Sequence, residues 1–361
     1  MQPNDHDSGS TTLKVLSVLA YLIIIIAGMR MAQPIVVPFI LSIFLAVIFA
    51  PPYIWLNSKG IPTSISLSLI LIASVFIFLM VGALIGTSLA GFSEDLPLYQ
   101  QRLQMIFDDI INWLSRFGIR ISNELVFEYF NPAVAMQVVA STLTELGGVL
   151  TNAFLIILAV VFILLEITSY PAKIKAIFGS SEDSFQQFKK ILVNVRHYLA
   201  IKTVISLATG AIIAVWLLIL GVDYALLWGL VAFLLNYIPN LGSIIAAFPA
   251  VLLALVQLGV GQALAVAGGF LLVNVFMGNI LEPRVMGKGL GLSTLVVFLS
   301  LVFWGWILGP VGMLLSVPLT MALKVGLEEQ PTTKWLSIVL GSEAAALQAC
   351  DEINSINQDK I

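Results

Sequence analysis

Long apolar runs, each closed by a short cluster of charge, proline or glycine, recur along the chain. A helix needs about 20 mostly apolar residues to cross about 30 Å of hydrocarbon at 1.5 Å per residue. The first run is Leu13 to Ala27, flanked by Lys14 and Arg30. Ile35 to Leu56 follows, with Pro38 near its start and Pro51-Pro52 predicted to bend or end it. Pro62 to Ala90 and Val149 to Leu165 are the third and fourth. Between Thr203 and Leu281 the only charged side chain is Asp223. Breaks fall there at Gly221-Val222-Asp223, at Pro239-Asn240-Leu241-Gly242 and at Gly259-Val260-Gly261. A last tract, Leu290 to Leu327, is interrupted at Gly309-Pro310. The runs are continuous rather than alternating, which excludes barrel strands. The prediction is an all-α polytopic membrane protein with about eight membrane segments, two of them helical hairpins.

Charge sets the orientation. Ser169 to Lys202 carries Lys173, Lys175, Lys189, Lys190, Arg196 and Lys202 against Glu182 and Asp183. Gly91 to Gly147 carries Arg102, Arg116 and Arg120 against an acidic majority. Cytoplasmic loops hold the Lys/Arg excess, so the first segment is expected inside, the second outside, and both termini inside. The expected parts are a cytoplasmic N-terminal tail (1–12), three membrane helices (13–90) and an extracytoplasmic helical insertion (91–148). A fourth membrane helix (149–168), a cytoplasmic amphipathic helix (169–202), a transport core with hairpins (203–327) and a mobile cytoplasmic tail (328–361) complete the chain. In the insertion, Tyr99, Leu103, Ile106, Ile110 and Leu114 have helical spacing, and Asn131-Pro132 reads as a helix start. Ser180-x-x-Asp183 resembles a capping box before a face of Phe185, Phe188, Leu192 and Val195.

Composition agrees: 59% of the 361 residues are hydrophobic and 10% charged, too few charges to clothe a water-soluble protein of this size. A net charge of −3 has no basic excess, so nucleic acid is not an expected partner. Cys350 is the lone cysteine, and His6 and His197 lack ligand spacing, so no metal or other cofactor is expected.

In lipid every backbone N–H and C=O needs a partner, so a broken helix survives only where protein or a watery cavity receives it. Such a break inside an apolar tract is the best sequence pointer to a transport site. Pro239 removes an N–H, Gly242 permits a tight turn, and Asn236 and Asn240 supply donors and acceptors for an uncharged polar ligand. Ala225 to Gln257 reads either as two short crossings or as a re-entrant hairpin with Pro239 at its tip. Gly309 and Pro310 would turn a second hairpin of opposite sense; alternatively Gly305-x-x-x-Gly309 only lets two helices approach closely. The expected substrate pathway is Asn236, Pro239, Asn240, Gly242, Ser243, Asn274, Asn279, Ser293 and Thr294. Glu282 is the candidate for ion coupling, with Arg284 either sharing that role or pairing with it at the inner interface. Asp223 and Glu166 sit at span ends and read as interfacial. Gly287-Lys288-Gly289 lacks the spacing of a phosphate loop, and no nucleotide or catalytic motif is present, so the chain is not expected to be an enzyme.

Asn236-Tyr237-Ile238-Pro239-Asn240-Leu241-Gly242-Ser243 resembles the autoinducer-2 exporter superfamily. So do Gly278-Asn279-Ile280-Leu281-Glu282-Pro283-Arg284, Gly289 to Thr294, Phe303 to Trp306, Gly309 to Met313 and Ser316 to Pro318. The likeness extends from about Leu13 to Leu327. It implies a bacterial inner-membrane homopentamer exporting a small polar signalling molecule through helical hairpins, with elevator-like motion. Many members carry His-Pro where this chain has Ser293-Thr294, a departure that matches the exporter subgroup. The superfamily also holds sodium/proton antiporters. A cation/proton antiporter and a non-transporting membrane scaffold are therefore the alternative functions, although the apolar stretch before Glu282 lacks the deep carboxylates an antiporter wants.

Overall fold

The computed structural model describes residues 6–117, 152–167, 182–239, 241–286, 291–328 and 332–343, with isolated positions at 134–144, 169–176 and 347. Every extended element among them is helical, apart from one isolated bridge. In chain order these are α1 (His6–Met31), α2 (Gln33–Ser58), α3 (Thr63–Arg116), α4 (Ala153–Glu166), α5 (Glu182–Leu220) and α6 (Ala225–Leu235). Then come α7 (Gly242–Leu258), α8 (Val260–Asn274), a π-helix (Val275–Leu281), α9 (Glu282–Met286), α10 (Thr294–Leu314), α11 (Ser316–Glu328) and α12 (Lys334–Leu340).

Five helical stretches are long and apolar enough to cross a bilayer: Gln33–Ser58, within Thr63–Arg116, Val195–Leu220, Val260–Met286 and Thr294–Leu314. Four shorter apolar helices, Leu16–Met31, Ala153–Glu166, Ala225–Leu235 and Gly242–Leu258, accompany them. Their outward faces are dense with exposed residues such as Ile72, Phe76, Leu79, Phe162, Leu218 and Leu272. Only a lipid or protein neighbour makes such faces tenable.

Two of the expected boundaries are not breaks. The third span and the start of the insertion are one 54-residue helix, α3, about 80 Å long, running through Gly91 and Pro97. The amphipathic segment before Lys202 and the span after it are likewise one helix, α5. Pro51-Pro52 does not end α2, which continues to Ser58. Asn131-Pro132, Ser180 and the side chains of Phe185, Phe188 and Leu192 lie outside the described residues.

Packing falls into two clusters. Ala46, Ala50 and Tyr53 of α2 close on Ile70 of α3 and on Ile156, Val160 and Leu164 of α4. The Ser42 hydroxyl joins two of these helices, reaching the Pro38 carbonyl at 2.6 Å and the Ile156 carbonyl at 3.2 Å. The larger core gathers Phe92 and Tyr99 of α3 with α5, α6, α7 and α8 around the fully buried Trp228. Small residues let α5 and α6 run close: a methyl on Gly210 would lie 2.6 Å from the Gly229 carbonyl oxygen.

Candidate transport site

Asn236 to Leu241 does interrupt the helix: α6 ends at Leu235 and α7 begins at Gly242. At 11 and 17 residues these helices are about 16 and 25 Å long, each short of the hydrocarbon thickness. The turn is tight enough that any side chain at Gly242 would strike the Leu235 carbonyl oxygen. Around the turn, Ile238 N–H donates to the Leu235 carbonyl at 2.8 Å and Gly242 N–H to that of Ile238 at 3.2 Å. Pro239, which has no N–H to place, is half-buried in the turn. Asn240 lies outside the described residues.

The turn is held by a polar face of α5. Tyr198, Lys202, Ser206 and Thr209 follow helical spacing on one side of that helix and are all buried, Ser206 at 0% exposure. Asn236 Nδ2 donates to Ser206 Oγ at 2.9 Å, and the Tyr237 hydroxyl donates to Thr203 Oγ1 at 2.8 Å. Phe44 and Phe233 meet the Tyr237 ring edge-on, at 5.5 and 5.8 Å between centroids. The Asn236 amide is thus engaged with a neighbouring helix.

One turn towards the N-terminus of α5, Lys202 Nζ lies 2.7 and 2.8 Å from the two carboxylate oxygens of Glu282. The lysine side chain is 4% exposed and the glutamate 18%, so the lysine is the more deeply buried of the two. Of the two readings of Arg284, pairing with Glu282 is corrected: the carboxylate goes to Lys202 of α5 while Arg284 is exposed. The reason is the π-helix before it. Glu282 N–H bonds to the Met277 carbonyl five residues back. One residue of extra register rotates all that follows by about 100° relative to an α-helix. That rotation carries Glu282 onto α5.

Ser243 and Asn274 come together on a groove of about 400 Å³ between α7 and α8, whose other lining includes Ile244, Phe248, Phe270 and Leu271. Its walls are apolar apart from those two side chains, and Asn236 is not among its lining residues. Asn279, within the π-helix, is exposed. Ser293 caps α10, its Oγ accepting from Val296 N–H at 3.2 Å, and Thr294 beside it is exposed.

Gly309 breaks α10 with φ 68° and ψ −152°, a conformation effectively reserved for glycine, and Pro310 follows. The α1–α2 elbow covers this break. Arg30 stacks over the Trp306 ring at 4.6 Å, and Gln33 Nε2 lies 3.1 Å from where a Gly309 side chain would begin. The two breaks therefore rest on different supports, α5 for the first and the α1–α2 elbow for the second.

At the other end of α5, Tyr224 (φ 57°) donates its hydroxyl to Asp95 at 2.7 Å, and Tyr99 donates to Asp223 at 2.9 Å. Gln257 accepts from Asp223 N–H at 2.9 Å, and Arg102 donates to the Gln257 carbonyl at 3.4 Å. Burial, and then the bond to Asp95, push the Tyr224 hydroxyl above the usual phenol range. This knot fastens the C-terminal half of α3 to the α5–α6 turn and the end of α7. Glu166, the other span-end acid, pairs with Lys173.

The sequence profile described as AI-2E family transporter matches residues 19–331. The chain is 41% identical over 328 residues to the AI-2 transport protein TqsA of Escherichia coli K12, covering 91% of this chain and 95% of that relative. It is 42% identical over 331 residues to a putative transport protein of Haemophilus influenzae, covering 90% and 94%. It is 36% identical over 334 residues to the putative transport protein YhhT of E. coli K12, covering 92% and 95%. Coverage nearly end to end, over the broken helices and the apolar spans alike, makes this chain a multi-pass membrane protein of the AI-2E transporter family.

Proposed function

We propose that the protein is a secondary exporter of a small polar signalling molecule such as autoinducer-2. The observation that carries this reading is the interrupted helix at Asn236–Leu241, seated on a polar stripe of α5 beside the buried Lys202–Glu282 pair. A transporter needs polar backbone at membrane depth without an open leak, and a clasped chain break supplies it. The first hairpin enters from outside and the second from inside. The Asp95–Tyr224 and Tyr99–Asp223 bonds mark the outer end of α5, while Lys202 and Glu282 lie towards its inner end. Both termini are then cytoplasmic, in the inner membrane of a bacterium, and the hairpins move against the α1–α4 scaffold in an elevator-like step. The working unit is a homopentamer.

The passenger pathway runs past Ser243 and Asn274, with Asn279, Ser293 and Thr294 towards the inner side. Glu282 couples the cycle to protons: it is the acid paired with buried Lys202 beside the chain break, and its side chain is the less buried of the two. Purified protein in liposomes, given labelled solutes under defined ion gradients, tests the reading. Efflux of autoinducer-2 driven by a proton gradient supports it, and no flux of any small polar solute overturns it. Glu282→Gln is expected to flatten the pH dependence of efflux; an unchanged profile removes Glu282 from coupling.

A further inference from the structure

The segment beyond the last apolar helix is expected to be a mobile tail, yet residues 332–343 are docked. After α11 the chain forms α12, and Thr333 Oγ1 donates back to the Leu327 carbonyl at 2.8 Å. Ser337 is 3% exposed. The chain then pairs with the residues that open α10, making an antiparallel bridge between Leu292 and Gly341. Ser293 N–H donates to the Leu340 carbonyl at 3.2 Å, and Ser342 N–H to the Gly291 carbonyl at 3.2 Å. The same Gly291 carbonyl receives Lys324 Nζ of α11 at 2.6 Å. Leu292 is buried against Tyr198, Leu199 and Val317. One short strip of chain therefore ties the entry of the second broken helix, α10, to the C-terminal part of α11, next to the face of α5 that carries Lys202.

We propose that residues 332–343 form an intramolecular strap that restrains the second broken helix and so holds back transport until it is released. This rests on the transport reading above, because it names the regulation of that site. Backbone hydrogen bonds at a short edge pairing are net weak, so the strap is tight enough to bias an equilibrium and loose enough to open. It grips Gly291 to Ser293, the connection that must flex if α10 shifts relative to α5.

The test uses the full chain with Cys350→Ser, Leu292→Cys and Gly341→Cys. The hydrogen-bond pattern makes 292 and 341 a non-hydrogen-bonded antiparallel pair, whose Cα atoms stand about 4.5 Å apart, within disulfide reach. Oxidation is expected to lower flux in liposomes about fivefold or more relative to the same sample after reduction. Ser342→Pro removes one strap donor without touching a core side chain. It is expected to raise flux and to speed hydrogen exchange at the Val296 and Val297 amides, while Ser342→Ala leaves both unchanged. Equal flux from the oxidised and reduced forms of a transporting protein overturns the strap. Altered exchange in Ser342→Pro, in a protein that moves no solute in any form, upholds only the mechanical restraint on α10 and overturns the transport reading and the regulation built on it.

Discussion

Replacing Lys202 by methionine removes the ammonium and keeps most of the buried stem, which leaves Glu282 facing α5 without its partner. In soluble proteins, breaking a buried ion pair costs about 3–5 kcal/mol, because one charge stays behind in a poor solvent. Two features lower that here. The Glu282 side chain is 18% exposed, so the charge left behind is not sealed wholly inside the protein. The unfolded state in detergent also keeps its helices and finds other partners, and single interhelical hydrogen bonds in membranes average only about 0.6 kcal/mol. A bidentate charged pair lies above that average, so the expectation for Lys202→Met is about 2 kcal/mol. Glu282→Gln should cost more, about 3 kcal/mol, because it strands the more deeply buried lysine. In the double variant both charges are gone, and its cost should fall short of the summed singles by at least about 1 kcal/mol. Reversible unfolding by sodium dodecyl sulfate in mixed micelles, read by circular dichroism, measures all four corners of the cycle. Additivity within about 0.5 kcal/mol would show that the two groups do not support each other and would refute the reasoning.

Other expectations follow from the same contacts. Gly242→Ala places a methyl against the Leu235 carbonyl and should cost at least about 2 kcal/mol in the same assay, whereas Gly261→Ala, with open space around it, should change stability by less than about 1 kcal/mol. Gly309→Ala forces an L-residue into a glycine conformation and should cost about 1–3 kcal/mol, read as a lowered unfolding midpoint. Asn236→Ala removes the bond to Ser206 and should cost about 1–2 kcal/mol, with a larger proportional loss of flux in liposomes. Deleting Gly278 returns the π-helix to α register and turns Glu282 away by about 100°, so Lys202→Met should then add almost nothing to the instability.

The chain's apolar runs made its helical membrane character legible, because composition and run length alone settle which solvent surrounds them. The breaks at Pro239 and Gly309 were legible because each sets a proline within a few residues of a glycine in an apolar tract, Pro239 with Gly242 and Pro310 with Gly309. What the reading missed is long-range or cooperative. Glu282 has Lys202 eighty positions away as its partner, and a π register rather than sequence proximity brings them together. Nothing in Val275–Leu281 advertises that register. The stripe of Tyr198, Lys202, Ser206 and Thr209 could have been found, since polar residues at helical spacing within an apolar tract are a readable signal. Pro97 does not interrupt α3, and Pro51-Pro52 do not end α2, so a proline without a nearby glycine was a poor guide to a boundary. The strap escaped notice because a backbone bridge leaves no side-chain pattern.

The account depends most on the chain break beside α5 being where a passenger is recognised. Ser243→Cys in a Cys350→Ser background places a thiol on the groove shared with Asn274. The direct measurement is its rate of modification by a water-soluble maleimide in liposomes, with and without a solute the same preparation is seen to transport. The account predicts that the transported solute slows modification in a saturable way, while a solute that is not carried has no effect. A rate indifferent to the transported solute would contradict it.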